Sequence, residues 1–189
     1  MTGIVILAAI PIVLLVWLMS SYNGLVRLKV QAENAWADID VQLKRRHDLI
    51  PNLVETVKGY AGHEKQTLEG VVAARNQAIA AQGPAAKAEA EGMLTGALRQ
   101  LFALSEAYPQ LRAVETFADL QKKLADLEDT IQNARRYYNA VVRDFNTSIE
   151  QFPSNIVAGM FHFTEREFFE LKDEAERAVP KVSFETPAS

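Results

Sequence analysis

The first charged side chain of this chain is Arg27. Ahead of it, residues 4–19 read IVILAAIPIVLLVWLM, apolar at every position except Pro11. A proline is tolerated in a lipid-spanning helix when neighbouring groups satisfy the carbonyl it frees. With Thr2, Gly3, Ser20 and Ser21 the uncharged run reaches the roughly 20 residues needed to cross a bilayer, and Trp17 and Tyr22 suit its interface. A cleaved signal peptide is the competing reading. It is disfavoured by the lack of a basic n-region and of a small-x-small cleavage site. Arg27 and Lys29 follow the run closely while nothing basic but the amino terminus precedes it, so the bias in basic residues predicts an N-terminus outside and the rest in the cytoplasm. The expected organisation is a transmembrane anchor over 1–21, a cytoplasmic helical bundle over 22–178 and a flexible tail over 179–189.

Beyond the anchor, residues 32–74 set the pattern. Alternate steps of four and three run through Ala32, Trp36, Ile39, Leu43, Arg46, Ile50, Leu53, Val57, Tyr60, Glu64, Thr67, Val71 and Ala74; ten of these thirteen are apolar. That spacing marks a helix with one stripe against packed neighbours. Arg46 and Glu64 interrupt it. They share a face but lie roughly 27 Å apart along an axis that rises 1.5 Å per residue, so each needs a partner elsewhere. For Arg46 the acidic residues beside the later seam, Asp126, Glu128 and Asp144, are the candidates. Pro51 removes a backbone hydrogen bond and predicts a kink or a new segment.

The remainder also reads as helix, which makes the fold class all-α. Gln82, Gly83 and Pro84 close the first element, and Pro84 suits the first turn of a helix over 85–107. Tyr108 and Pro109 end that helix. A third seam, Phe117, Leu120, Leu124, Leu127, Ile131, Ala134, Tyr138, Val141, Phe145, Ser148 and Phe152, predicts a rod of more than about 50 Å stopped by Pro153. Residues 154–178, with Phe161, Phe163, Phe168 and Phe169 beside an acidic run, predict an amphipathic helix that closes the bundle; the alternative is a surface for membrane or partner.

The residues offer little catalytic chemistry. His63 and Glu64 begin a zinc-protease helix motif, but Thr67 stands where its second histidine belongs. His47 and His162 are isolated in sequence. No phosphate-binding glycine loop, dinucleotide fingerprint or nucleophile elbow occurs, and a chain without cysteine has no thiolate chemistry. A net charge of −4 argues against a nucleic-acid partner, which requires a basic face. We therefore expect no catalytic, cofactor-binding or metal-binding residues, no cofactor and no enzymatic activity. In the cluster Lys44, Arg45 and Arg46, Lys44 would stand about 33 Å beyond Tyr22 on a continuous helix, outside the roughly 8 Å screening length of a charged membrane. The expectation is an Asp40–Lys44 pair one turn apart, with Arg46 turned inward.

The span followed by YNGLVRL, then AWADIDVQLKRRHDLIPNLVETVKGYAGHE, LEGVVAARNQA, YYNAVVRDFNTSIEQFP and FFEL, resembles the LemA family of bacterial membrane proteins. The likeness runs over most of residues 22–171. It implies an N-terminal transmembrane helix followed by an up-and-down four-helix bundle with long helices, anchored in the bacterial inner membrane, with no enzymatic activity.

Two functions compete: a non-enzymatic scaffold that associates with itself or holds partners at the membrane, and a regulatory adaptor or sensor for another envelope protein such as a protease or kinase. Expected partners are the lipid bilayer, further copies of the chain and other membrane proteins. The candidate structural or interaction residues are Tyr22, Asn23, Leu25, Leu28, Trp36, Arg46, Pro51, Glu64, Phe161 and Phe168. Leu25, Val26, Leu28 and Val30 lie on more than one face of a helix leaving the membrane, so a single stripe cannot bury them all. That predicts a homo-oligomer through this stretch, with placement in the headgroup region as the alternative. The topology has a direct check: protease added to sealed right-side-out vesicles should leave the C-terminal domain intact, and its digestion would reverse the assigned orientation.

Overall fold

The computed structural model describes the backbone of residues 2–170 and the side chains of residues 9–170. Six helices follow one another: α1 Thr2–Ala61, α2 Lys65–Ala80, α3 Pro84–Ala107, α4 Pro109–Arg112, α5 Glu115–Glu150 and α6 Ser154–Met160. Residues 161–170 carry no helix. The expected tail over 179–189, and the expected helix beyond residue 170, lie outside the described residues.

Contacts fix the directions of the long helices. Gln31 meets Tyr137 and Arg46 meets Glu128, so α5 runs antiparallel to α1. Asp40 meets Lys87, Arg46 meets Glu91 and Glu64 meets Tyr108, so α3 runs parallel to α1. Short turns at residues 62–64 and 81–83 reverse the chain on either side of α2. The four long helices therefore alternate up and down.

The stripe read over 32–74 belongs to two helices. α1 ends at Ala61, and the chain turns back at residues 62–64. A side chain at Gly62 would put its Cβ 2.9 Å from the Lys58 carbonyl oxygen, so the turn requires glycine. The end of α1 buries Ala61 and leaves Tyr60 exposed, and after the turn burial passes to Leu68, Val71, Ala74 and Ala78 of α2. Periodicity carried the count across this turn because α2 resumes an apolar stripe of its own.

Pro51 starts no new segment; it lies inside the unbroken α1. The carbonyl it deprives of a partner is that of His47, four residues earlier. Arg75 of α2 donates its Nε–H to that oxygen at 2.7 Å. A side chain from the antiparallel neighbour thus replaces the missing backbone donor.

The seam of α5 is buried from Phe117 to Phe145. Phe152, expected as its last member, lies beyond the helix and is 76% exposed. The helix expected over 154–178 is a single short one ending at Met160. There the chain turns through His162, whose φ is 57°, with the Phe163 N–H bonded to the Ala158 carbonyl at 2.9 Å. Residues 163–170 then form an extended strap along α5. Asn146 accepts from the Arg166 N–H and donates to the Arg166 carbonyl, both at 2.9 Å. Asn139 does the same for Phe169, at 2.9 and 3.2 Å. Seven helical residues cover about 10.5 Å and three extended residues about 10 Å, so asparagines two turns apart meet every third strap residue. Tyr138 adds a bond from its Oη to the Glu167 carbonyl at 2.8 Å. These side chains satisfy backbone groups that a helix would have satisfied internally.

The arrangement around Pro51 predicts a coupling. Arg75→Ala strands the His47 carbonyl and should cost about 1–2 kcal/mol in urea unfolding. With Pro51→Ala, which restores the backbone donor, the same change should cost measurably less. Equal costs in both backgrounds would show that Arg75 does not compensate for the proline.

Candidate functional site

Two apolar cores stack along the bundle. One joins Ile50, Leu53, Val57, Leu94, Leu101, Leu111 and Phe117. The other joins Ala32, Ile39, Leu43, Ile131, Tyr138, Val142 and Phe169. Between them lies a layer of charge. Arg46, His47 and Glu91 are each 5% exposed, and side chains of these types are almost never so buried unless paired.

Glu91 of α3 is the bridge. Its Oε1 lies 2.6 Å from His47 Nε2 and its Oε2 3.5 Å from Arg46 Nη1. The same Nη1 lies 3.1 Å from Glu128 Oε2 on α5, while Arg46 Nη2 donates to Thr95 Oγ1 at 2.7 Å. Thr95 donates its own hydroxyl to the Glu91 carbonyl at 2.9 Å. Three helices are thereby tied to one guanidinium and its histidine neighbour. Among the candidate partners of Arg46, Glu128 is the one the structure brings to it; Glu91 was not foreseen.

The layer opens to the surface between α3 and α5. Two hollows of about 330 and 400 Å³ flank it, and both are lined by Arg46, Thr95, Arg99 and Glu128. Gly92 and Gly96 line the first. The chemistry on offer is ion pairing and hydrogen bonding to a polar group. Among the described residues no three histidine, aspartate or glutamate side chains converge as metal ligands would.

Glu64 finds its partner at the far end of the bundle. It accepts a hydrogen bond from Tyr108 Oη at 2.8 Å, and that bond, made by the neutral phenol, holds the Tyr108 pKa above its ordinary value. The Tyr138 pKa is raised chiefly by burial, with Arg166 opposing and Glu167 adding to the shift. Trp36 stacks against Tyr138 and Phe169 at ring separations of 5.4 and 5.6 Å, with Lys87 Nζ 6.0 Å from its ring centre. Lys87 also pairs with Asp40 at 2.5 Å, in place of the Asp40–Lys44 pair expected from spacing. The strap's side of α3 offers Asp40 a closer cation than its own helix does. Phe168 packs partly buried on the same cluster.

At the end of the bundle beside the apolar segment, Tyr22 packs on Phe161 and Phe163 at 4.6 and 5.9 Å. Leu25, expected on an association surface, is 2% exposed and covered by Val157 and Ala158 of α6. α6 supplies a second packing stripe for α1 there, so Leu25 is buried although it lies off the face turned to the long helices. Leu28 is half-buried, and Asn23 is exposed.

Of the residues not foreseen, Glu91 had a signal. Ala88, Glu91, Leu94, Leu98 and Leu101 step by three and four, so Glu91 is a lone charge on an apolar stripe, as Arg46 is. Arg75, Asn139 and Asn146 gave none, since each serves backbone groups whose position depends on the fold.

Fold and site together define a class: an all-α bundle suspended from a long apolar N-terminal helix, with a charged layer across its core. Residues 35–184 match the LemA family, and the chain belongs to that family. The magnetosome protein MamQ 2 of Paramagnetospirillum magneticum is 28% identical over 182 residues, covering 82% of this chain and 66% of its own length. MamQ of Magnetospirillum gryphiswaldense is 25% identical over 181 residues with the same coverage. Protein LemA of Metamycoplasma hominis is 27% identical over 140 residues, covering 72% of this chain and 63% of its own. The chain spans slightly less than two thirds of these relatives. The family and the apolar helix make this a membrane-associated helical protein.

Exposure sets the expected energetics of the layer. Glu91→Ala leaves Arg46 and His47 buried with one half-open carboxylate and should cost about 3 kcal/mol or more in urea unfolding. Glu128, whose side chain is 34% exposed against 7% for Glu91, should cost about 1 kcal/mol when changed to alanine, since water screens it. Equal losses would mean that water reaches the whole layer.

Proposed function

We propose that the protein is a non-enzymatic scaffold of the bacterial inner membrane. It crosses once with its N-terminus outside, and its cytoplasmic bundle associates with further copies and presents a fixed surface to other membrane proteins. The observation that carries this reading is the continuity of α1, which runs from the apolar segment to Ala61 as one 60-residue helix. A helix without a linker transmits its orientation to whatever is packed on it, which suits a holder better than a tethered catalyst.

Self-association moves to a different face from the one first expected, because Leu25 is buried within the chain. Val30 and Val41 remain exposed on α1. They are eleven residues apart, three helical turns, and so share one side. In this reading copies meet along that outward stripe, already aligned by their anchors. The hollows beside Arg46 and Arg99 then stay free for a polar partner.

A chain without cysteine accepts a single introduced thiol cleanly. Val41→Cys in native membranes, treated with a short bifunctional cross-linker, should give an adduct at twice the chain's own mass, the limit for one thiol per chain. Adducts with a different protein alone would favour the adaptor reading, and none at all would remove the self-association surface.

A further inference from the structure

The geometry points to a second contact with lipid: the end of the bundle beside the span, built from Phe152, Ile156, Met160 and Phe161, dips into the interfacial layer of the bilayer that α1 crosses. The inference rests on the reading of α1 as a membrane span. Four observations carry it.

The first is exposure. Phe152 is 76% exposed, Met160 58%, Ile156 52% and Phe161 45%. Ile156 and Met160 stand one turn apart on the outer side of α6, whose inner side, Val157 and Ala158, covers Leu25. Concentrated exposed apolar area of this kind marks an association surface. The second is charge. From Gln151 to Thr164 the chain reads QFPSNIVAGMFHFT, fourteen residues without an aspartate, glutamate, lysine or arginine. The flanking carboxylates Glu150 and Glu165 fall outside that run. A stretch without charge can enter the interface without the cost of desolvating an ion.

The third is position. Trp17, inside the apolar run, packs against the same cluster as Leu25, Val157, Ala158 and Phe163. α6, which carries the patch, is therefore seated against the apolar run itself. Leu25 lies only about 9 Å beyond Met19 along the helix, a rise comparable to the headgroup layer of one leaflet. The fourth is the aromatic content. Tyr22, Phe161 and Phe163 form a ring cluster at this level, and Arg27 and Lys29 stand on the next turn, suited to reach phosphates. A second copy of the chain is the competing occupant, but only lipid is already present at this height around every molecule.

The consequence is a two-point attachment. With α1 alone in the bilayer the bundle could rotate about the helix axis. A lateral wedge from α6 fixes which side of the bundle faces the membrane and how far the charged layer stands from it.

Four full-length single-tryptophan proteins test the proposal in bilayers whose lipids are brominated near the headgroup end of the acyl chain, bromine quenching tryptophan on contact. They retain Trp17 (Trp36→Phe), retain Trp36 (Trp17→Phe), or carry Phe152→Trp or Met160→Trp with both native tryptophans changed to phenylalanine. Helical circular dichroism and thermal melting confirm the fold of each. Trp17 should lose emission and Trp36, about 21 Å beyond Tyr22, should keep it; residues 152 and 160 should be quenched as strongly as Trp17. Quenching of Trp17 with residues 152 and 160 unaffected would overturn the wedge and leave the span standing. Unquenched but blue-shifted emission at 152 and 160 would assign the patch to a second copy and overturn the wedge equally. No quenching at any position would overturn both the wedge and the span.

Discussion

Everything in this structure is fastened to one helix. α1 supplies the apolar segment, the wall against which α5 packs, the face that α2 folds back upon and the groove that α6 closes. An isolated helix of this length is not held straight by its own hydrogen bonds, and most helical stability in proteins comes from packing of an amphipathic face. Between Leu25 and Ala61 that packing comes from α5 along most of the length, joined by α6 near Leu25 and by α2 towards Ala61. The helix is weakest by its own backbone at Pro51, where Arg75 of α2 closes the gap at the His47 carbonyl. The neighbour packed on the proline's turn is the one that repairs it.

The charged layer sets the register of the helices along α1. Arg46, His47, Glu91 and Glu128 lie between the two apolar cores, so a shift of α3 or α5 by one turn would carry a carboxylate away from Arg46 and leave the guanidinium short of a partner. Apolar stripes of Leu, Val and Ala tolerate such slips with modest loss. Buried charges do not, because an unpaired one costs several kcal/mol. Such a layer need add nothing to net stability, since a well-packed apolar replacement is often as stable. What it adds is a single alignment, and with it a fixed polar opening between α3 and α5 where Arg46, Arg99, Thr95 and Glu128 come together.

Much of this was legible in the residues. The long apolar N-terminal helix, the all-α class, the inward Arg46 and the start of α3 at Pro84 follow from charge placement, periodicity and the fixed φ of proline. The LemA likeness, carried by blocks such as IDVQLKRRHDLIPNLVETVKGYA, pointed to the family that the chain belongs to. Three stretches differ from their periodicity, each for its own physical reason. A period of 3.6 continues in phase through a tight turn, so residues 32–74 read as one helix although Gly62 reverses the chain. The aromatic run after Met160 read as an amphipathic helix because Phe163, Phe168 and Phe169 are spaced for one. What straightens it is the pair Asn139 and Asn146, two polar residues on a rod whose companions are Val141 and Phe145, waiting for a strap the sequence does not announce. Leu25 was misjudged because burial by a non-adjacent element leaves no local mark.

The central claim is that α1 passes from membrane to bundle without a hinge. The chain has no native cysteine, so nitroxide labels can be placed at Ser20→Cys and Lys44→Cys, both exposed, in full-length protein diluted with unlabelled copies in a bilayer. Pulsed electron–electron resonance should give one narrow distance distribution centred near 36 Å, the rise of twenty-four helical residues. A broad distribution, or one centred well below that value, would show a hinge between span and bundle and contradict the account.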